Sequence, residues 1–204
     1  MNKINYNIEF NKTVNSLNGE KKTLLLHACC APCASACLLR VMEAFEVTVF
    51  YYNPNITSTD EYNMRVDELH RLCDIFNEKY GAGIKTLDGR YDTAEFYSIA
   101  KGYEDIPEKG IRCHRCYDMR IKETAGVANE INADFFATTL TLSPMKDEQV
   151  LNRIGFEHAA LHENGALWLP SDFKKEGGYA KSIELSKEYG LYRQNFCGCE
   201  YSRR

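Results

Sequence analysis

The stretch that decides the fold is Leu24 to Val41, LLLHACCAPCASACLLRV. An apolar run, Leu24–His27, stops at clustered thiols, and helical spacing then takes over from Cys33 to Ala44. A short buried strand feeding a helix is the opening unit of an α/β protein. The cysteines Cys29, Cys30, Cys33 and Cys37 then stand at the carboxyl end of the first strand or just beyond it.

The same alternation continues outward. Val47–Tyr52 alternates β-branched and aromatic residues and ends at Asn53-Pro54-Asn55, a second strand and turn. Ser58-Thr59-Asp60-Glu61 opens a helix reaching about Lys79, with Val66, Leu69, Leu72, Cys73 and Phe76 on one face. Ile84–Leu87 reads as a strand, Thr93–Lys101 as a helix, and 102–111 as a loop. Residues 116–130 read as a helix, Ala133–Leu142 as a strand ending at Ser143-Pro144, and Glu148–Leu161 as a helix. Leu167–Leu169 is a short strand and Gly177–Tyr189 a last helix. Strands alternating with helices predict a single α/β domain over residues 21–204, a mostly parallel sheet sandwiched by helices, with residues 1–20 as an N-terminal extension. Ligands of such sheets bind beyond the carboxyl ends of the strands. The cysteines, Asn53-Pro54-Asn55 and Thr141–Lys146 share that address.

The chain has 204 residues, 44% of them hydrophobic, enough for one sizeable core. It holds no run of 18 apolar residues, so no membrane helix is expected. The polar start, MNKINYNIEFNKTVNS, has no secretory pattern, and a cytoplasmic location is expected. Nine cysteines in such a chain point to metal binding or catalysis, not to a disulfide framework. Net charge is −4, yet residues 21–41 carry Lys21, Lys22 and Arg40 and no acid. That local excess suits an anionic substrate at the cysteines, as it suits simple scatter.

Three cysteine groups stand out: Cys29-Cys30-Ala31-Pro32-Cys33, Cys113-His114-Arg115-Cys116, and Cys197-Gly198-Cys199. The first two lie at expected loop-to-helix junctions, where helix N–H groups stabilise thiolates. Thiolates ligate zinc and iron–sulfur clusters. Adjacent cysteines do not easily face one tetrahedral ion together, whereas a cluster or two neighbouring metals can use both, so ligand preference favours iron–sulfur over zinc. Cys197 and Cys199 can close a strained, reducible disulfide, ligate metal, or sit idle. Cys37 and Cys73 fit simple core packing. His27 and His114 border the thiol groups; a satisfied structural histidine is the commoner outcome for such residues.

HACCAPC (27–33), YYNPNI (51–56), EYNMR (61–65), GIRCHRCYDMR (110–120), TTLTLSPMKD (138–147) and FKKEGGYAKSIELSKEYGLYRQNFCGCEYS (173–202) resemble the cobalamin-independent epoxyqueuosine reductase family, QueH. The resemblance runs from about residue 22 to 202. It implies an adenine-nucleotide-alpha-hydrolase-like (HUP-like) fold. It also implies two-electron reduction of epoxyqueuosine at the tRNA wobble position to queuosine and water, the last step of queuosine biosynthesis. A 4Fe–4S cluster and an additional mononuclear iron are implied as cofactors, with tRNA as partner and an external electron donor.

Carried onto this chain, the resemblance implies Cys29, Cys113 and Cys116 as cluster ligands and Cys30 and Cys33 on the adjacent iron. It implies Cys197 and Cys199 as a redox-active pair. His27, Tyr117 and Tyr192 are candidate proton donors. Lys174, Lys175, Lys181 and Arg193 are candidates for phosphate contact, and Tyr179, Tyr192 and Phe196 for base stacking.

Other classes remain open at this point. A zinc-stabilised, non-catalytic RNA-binding domain would be colourless. A thiol–disulfide oxidoreductase using Cys113 and Cys116 would need no metal, and leaves Cys29, Cys30 and Cys33 without a role. An adenylating or sulfur-transfer relative would carry SGGxDS after the first strand, where this chain reads CCAPCAS without glycine.

Overall fold

A computed structural model describes residues 3–202. Five parallel strands form one sheet in the order β3-β2-β1-β4-β5. They are β1 (Lys22–His27), β2 (Phe45–Tyr51), β3 (Lys85–Asp88), β4 (Phe135–Thr138) and β5 (Leu167–Trp168). The helices are α1 (Tyr6–Ser16), α2 (Ala31–Val41), α3 (Thr59–Tyr80), α4 (Thr93–Ala100), α5 (Ile111–Glu130), α6 (Glu148–Ala159) and α7 (Gly178–Glu188). The expected α/β sandwich with an all-parallel sheet is therefore present, consistent with a HUP-like fold.

The strand order explains where a site can form. The chain moves outward from β1 through β2 to β3, then returns to the other side of β1 for β4 and β5. The loops after β1 and β4 thus leave the sheet in opposite directions, and a crevice opens between them. Parallel strands with both faces covered read as unbroken apolar runs, and Leu24, Leu25 and Leu26 are all buried. Leu24 and Leu26 pack with α2, α3 and Phe10 of α1; Leu25 packs on the other face with Tyr117, Ile121 and Ala125 of α5 and Leu151 and Ile154 of α6. No helix among the described residues is long and apolar enough to cross a membrane.

Three elements differ from the sequence reading. The segment 1–20 carries α1, started by Asn5, whose side chain accepts from Asn7 and Ile8 backbone N–H. Phe10 of α1 joins the core edge-on to Phe173, with the Arg40 guanidinium over its ring. The run Ala133–Leu142 is a strand only over Phe135–Thr138; the Thr138 hydroxyl accepts the Leu140 N–H and turns the chain into a 3-10 helix over Thr139–Leu142. Helix α5 begins at Ile111, five residues before the expected start, so Cys113 and Cys116 both lie within its first two turns.

Candidate active site

Cys29 and Cys30 close the loop after β1, and Cys33 lies in the first turn of α2. Pro32 occupies the start of that helix, where its missing N–H costs nothing. The result is a tight group: the Cys29, Cys30 and Cys33 sulfurs all lie within 4.8 Å of one another. Cys29 and Cys30 are 3.7 Å apart. Cys29 accepts from the thiols of Cys30 and Cys33, which holds it well below the ordinary thiol range. The same contact with Cys29 pushes Cys30 up to about 12 and raises Cys33. The trio therefore favours one thiolate stabilised by two thiols. It joins Cys29, expected on a cluster, directly to Cys30 and Cys33, expected on a second metal.

Cys113 and Cys116 form a second group on α5, outside that 4.8 Å trio. They fall on the helix face that also carries Tyr117 and Arg120, because these positions are three, four and seven residues beyond Cys113. Burial raises both thiols, Cys116 to about 12. The C-terminal tail reaches this group: Cys199 is buried with Cys116, Phe96 and Ala100, and Cys197 lies within electrostatic range of Cys113 and Cys116. All nine cysteines are free thiols. Cys37 and Cys73 pack in the core, as core thiols do, and burial pushes Cys73 up to about 12.

Beside the trio lies a cleft of about 680 Å³ lined by Cys29, Cys30, Cys33 and Cys197 together with the cations Arg65, Arg120, Lys146 and Arg193. Among the described residues Glu108 is its one acid. Lys146 comes from the loop after β4 and donates to Cys197 Sγ at 3.4 Å. Arg120 is buried at the floor, where it donates to Asn53 Oδ1; Asn53 in turn donates to the Ala28 carbonyl at 2.9 Å and so fixes the approach to Cys29. The helices α2, α5 and α7 begin without a side-chain cap and without an acid in the first turn, which leaves their positive ends uncompensated. By contrast, α4 and α6 are capped by Asp92 and Asp147. The cleft is built to hold negative charge.

His27 lies behind this floor, fully buried. Nδ1 pairs with the Thr138 hydroxyl at 2.7 Å, and Nε2 faces both the Tyr52 carbonyl at 3.1 Å and the Arg120 Nε–H at 3.4 Å. Burial, then the nearby Arg120 charge, lower its pKa to about 3, so it is a neutral brace with both nitrogens engaged. Tyr192 donates to Glu61 at 3.0 Å. Among the described residues the buried Tyr117 hydroxyl finds no hydrogen-bond partner, and neither does Gln194 Oε1.

The expected RNA-contact residues separate. Tyr179, Arg193 and Phe196 line the cleft, and the Arg193 guanidinium sits 5.9 Å from the Tyr179 ring centroid. Lys174 does not line it; its ammonium is paired with Asp172 at 2.6 Å and Glu148 at 2.8 Å. Lys175 is exposed outside the cleft, and Lys181 pairs with Glu184. Arg65, Arg120, Lys146 and Gln194 were not singled out from sequence. Arg65 and Arg120 each follow a flagged motif residue at helical spacing, Glu61 and Cys116, four residues on. Lys146 ends a segment placed beyond the fourth strand.

The comparisons with known proteins agree with this geometry. The family model for Epoxyqueuosine reductase QueH matches residues 24–204. The chain is 36% identical over 204 residues to the Epoxyqueuosine reductase QueH of Staphylococcus epidermidis, covering 98% of this chain and 85% of the relative. It is 40% identical over 186 residues to that of Histophilus somni, covering 89% and 72%. It is 35% identical over 183 residues to that of Thermotoga maritima, covering 88% and 90%. With the thiol motifs of the cleft inside the matched span, the chain belongs to the epoxyqueuosine reductase QueH family.

Proposed function

We propose that this cleft reduces epoxyqueuosine in tRNA to queuosine and water, an oxidoreductase reaction that closes queuosine biosynthesis. The observation that carries the reading is the trio of sulfurs within 4.8 Å at the crevice between β1 and β4, in a chain matched along its length by reductases. The reaction consumes two electrons and two protons: the epoxide loses its oxygen as water and a carbon–carbon double bond remains.

The donor set fits a soft metal centre, because every candidate ligand is a sulfur. Gln194 Oε1, whose side chain reaches Cys30, and the Tyr117 hydroxyl beside Cys113 and Cys116 are buried polar atoms with no protein partner, as expected beside a bound group. We assign Cys29, Cys113 and Cys116 to a 4Fe–4S cluster and Cys30 and Cys33 to an adjacent iron. Bound there, these groups supply electrons singly and a Lewis acid. Cys197 and Cys199 act as a dithiol/disulfide couple beside them. Arg120 and the bare starts of α2 and α5 offset the thiolate charge. Arg193 meets phosphate and Tyr179 stacks on an unpaired base, as single-stranded RNA recognition requires. Lys174 braces the turn that leads into α7, the helix that carries Tyr179.

The test is anaerobic purification, an iron, sulfide and zinc count with a visible spectrum, and an assay on tRNA bearing epoxyqueuosine with a chemical reductant. A brown protein holding sulfide and more iron than one cluster needs, and converting the nucleoside, is expected. A colourless protein with stoichiometric zinc, no cluster after reconstitution and no conversion would replace this reading with the zinc-stabilised RNA-binding domain.

A further inference from the structure

Removing an epoxide oxygen makes a demand that electrons alone do not meet. When the first C–O bond breaks, its electron pair stays on oxygen and leaves an alkoxide on the neighbouring carbon. Such an oxygen is about as basic as hydroxide. It must be protonated where it forms. The second C–O bond then breaks with a second proton, water departs, and the two electrons from the external donor end in the new double bond. A donor facing the cleft is therefore required.

The three candidates named from sequence do not supply it. His27 has both nitrogens engaged behind the floor. Tyr192 already donates to Glu61. Tyr117 is buried outside the cleft lining. Arg120 faces the cleft, but a guanidinium does not release its proton.

We propose that Lys146 is a catalytic residue: its ammonium donates a hydrogen bond to the epoxide oxygen and passes it a proton as the first C–O bond breaks. This rests on the reductase reading above. Lys146 lines the same cleft as Cys29, from the loop after β4, and lies within electrostatic range of it. One N–H is directed to Cys197 Sγ at 3.4 Å, and the ammonium lies 5.7 Å from the Tyr117 ring centroid. An ammonium has three N–H groups, so donors remain for substrate. Among the described residues it forms no ion pair with a carboxylate, whereas the nearby Lys174 forms two. A half-buried ammonium without a carboxylate adds little to folding, which argues for a different use.

Its state suits the step. Burial works against the charge, but Cys197 and Tyr117 more than offset it, and the pKa lies above the ordinary lysine value. The group is thus charged while it waits. An alkoxide is still the stronger base, so transfer runs downhill, and the neutral amine regains its proton from water entering the open cleft.

Wild type, K146M and K146R distinguish the outcomes. With metal-free protein, fluorescence anisotropy compares tRNA carrying epoxyqueuosine with tRNA carrying queuosine, which lacks the oxygen. Wild type should prefer the epoxide by about fivefold, and K146M should lose the preference while keeping its affinity for the queuosine form. After anaerobic reconstitution with iron and sulfide, the single-turnover rate of K146M should fall about 100-fold at unchanged iron content. K146R should keep the preference and recover roughly a tenth of the rate.

A K146M protein matching wild type in both preference and rate would overturn the assignment and leave the reductase reading intact. Loss of iron, or of affinity for both RNAs, would also overturn it by giving Lys146 a structural role. A reconstituted wild type that turns over no epoxyqueuosine would overturn the reductase reading and this step with it.

Discussion

Arg65 and Glu61, one turn apart on α3, form a buried pair at 2.6 Å, and the same guanidinium reaches the carbonyls of Cys197 at 3.2 Å and Phe196 at 3.4 Å. Its plane also lies 5.3 Å from the Phe196 ring centroid. Arg65 therefore helps tie the C-terminal tail to the body of the protein. Beside it, the Thr57 N–H donates to the Gly198 carbonyl at 3.2 Å.

Removing that arginine should do two things. Arg65→Met leaves the Glu61 carboxylate buried without its cation, held by the Tyr192 hydroxyl, a loss of about 3–5 kcal/mol. For a domain of this size that is a melting temperature lower by on the order of 10 °C. It also frees the tail, so Cys197 and Cys199 should react faster with iodoacetamide than in wild type, read by peptide mass spectrometry. Equal rates and an unchanged melting temperature would refute the tether.

Gly198 sets a second condition on the tail. Its φ is +110°, and a Cβ there would lie 2.7 Å from Ile56 Cγ1. Gly198→Ala should cost about 1–3 kcal/mol through strain and overpacking. The double variant with Ile56→Ala should not recover fully, because the backbone strain remains. Denaturant midpoints check both values.

Acid stability offers an independent reading of the Lys174 position. Burial opposes the Glu148 charge, but Lys174 and Lys3 more than offset it and hold the carboxyl at about 2. A depressed carboxylate stabilises the fold above its unfolded pKa, near 4.5, and the contribution disappears as pH falls toward 2. Glu148→Gln should therefore match wild type least at neutral pH and converge on it below pH 3 in thermal melts. A constant gap between the two across that window would contradict the pairing.

RNA binding should separate Arg193 from Lys174. Arg193→Glu should weaken tRNA binding by about tenfold and reduce the salt slope by roughly one unit, the signature of a lost phosphate contact. Tyr179→Ala should cost about 1–3 kcal/mol of affinity with the slope unchanged. Lys174→Ala should lower thermal stability and leave the slope alone. Filter binding across a salt series decides among them.

Metal loading provides the last prediction. Cys29→Ser, Cys30→Ser and Cys33→Ser should each lower iron retention by roughly tenfold or more on dilution, while Cys37→Ser leaves it unchanged. Elemental analysis after gel filtration is the measurement.

Much of this architecture is legible in the amino-acid order. Leu24–His27 and Val47–Tyr52 are buried strands because their apolar residues allow nothing else, and Asn53-Pro54-Asn55 ends the second one where the structure does. Other features depend on partners distant in sequence. Helix α1 looks polar by itself; it becomes a packed helix through Phe173 and Arg40. The stretch ADFFATTLTL has the composition of a long strand, yet one hydroxyl, Thr138, caps the following N–H and bends the chain. Lys174 and Arg193 look alike as surface cations, and only the fold places one beside Asp172 and Glu148 and the other beside Tyr179. The thiol motifs and their grouping were conspicuous, and the structure keeps the first group together within 4.8 Å with Cys113 and Cys116 outside it; what spacing left open is which side chains stand around them.

The tether from Arg65 grips main-chain carbonyls, not sulfur. The latch is thus blind to the side chain it carries at position 197. Cys197→Ser should keep the tail seated while deleting its thiol, so the chemistry of that sulfur can be silenced without unlatching the segment that presents it. Holding and reacting are thus separable at this position, and the separation follows from two backbone oxygens.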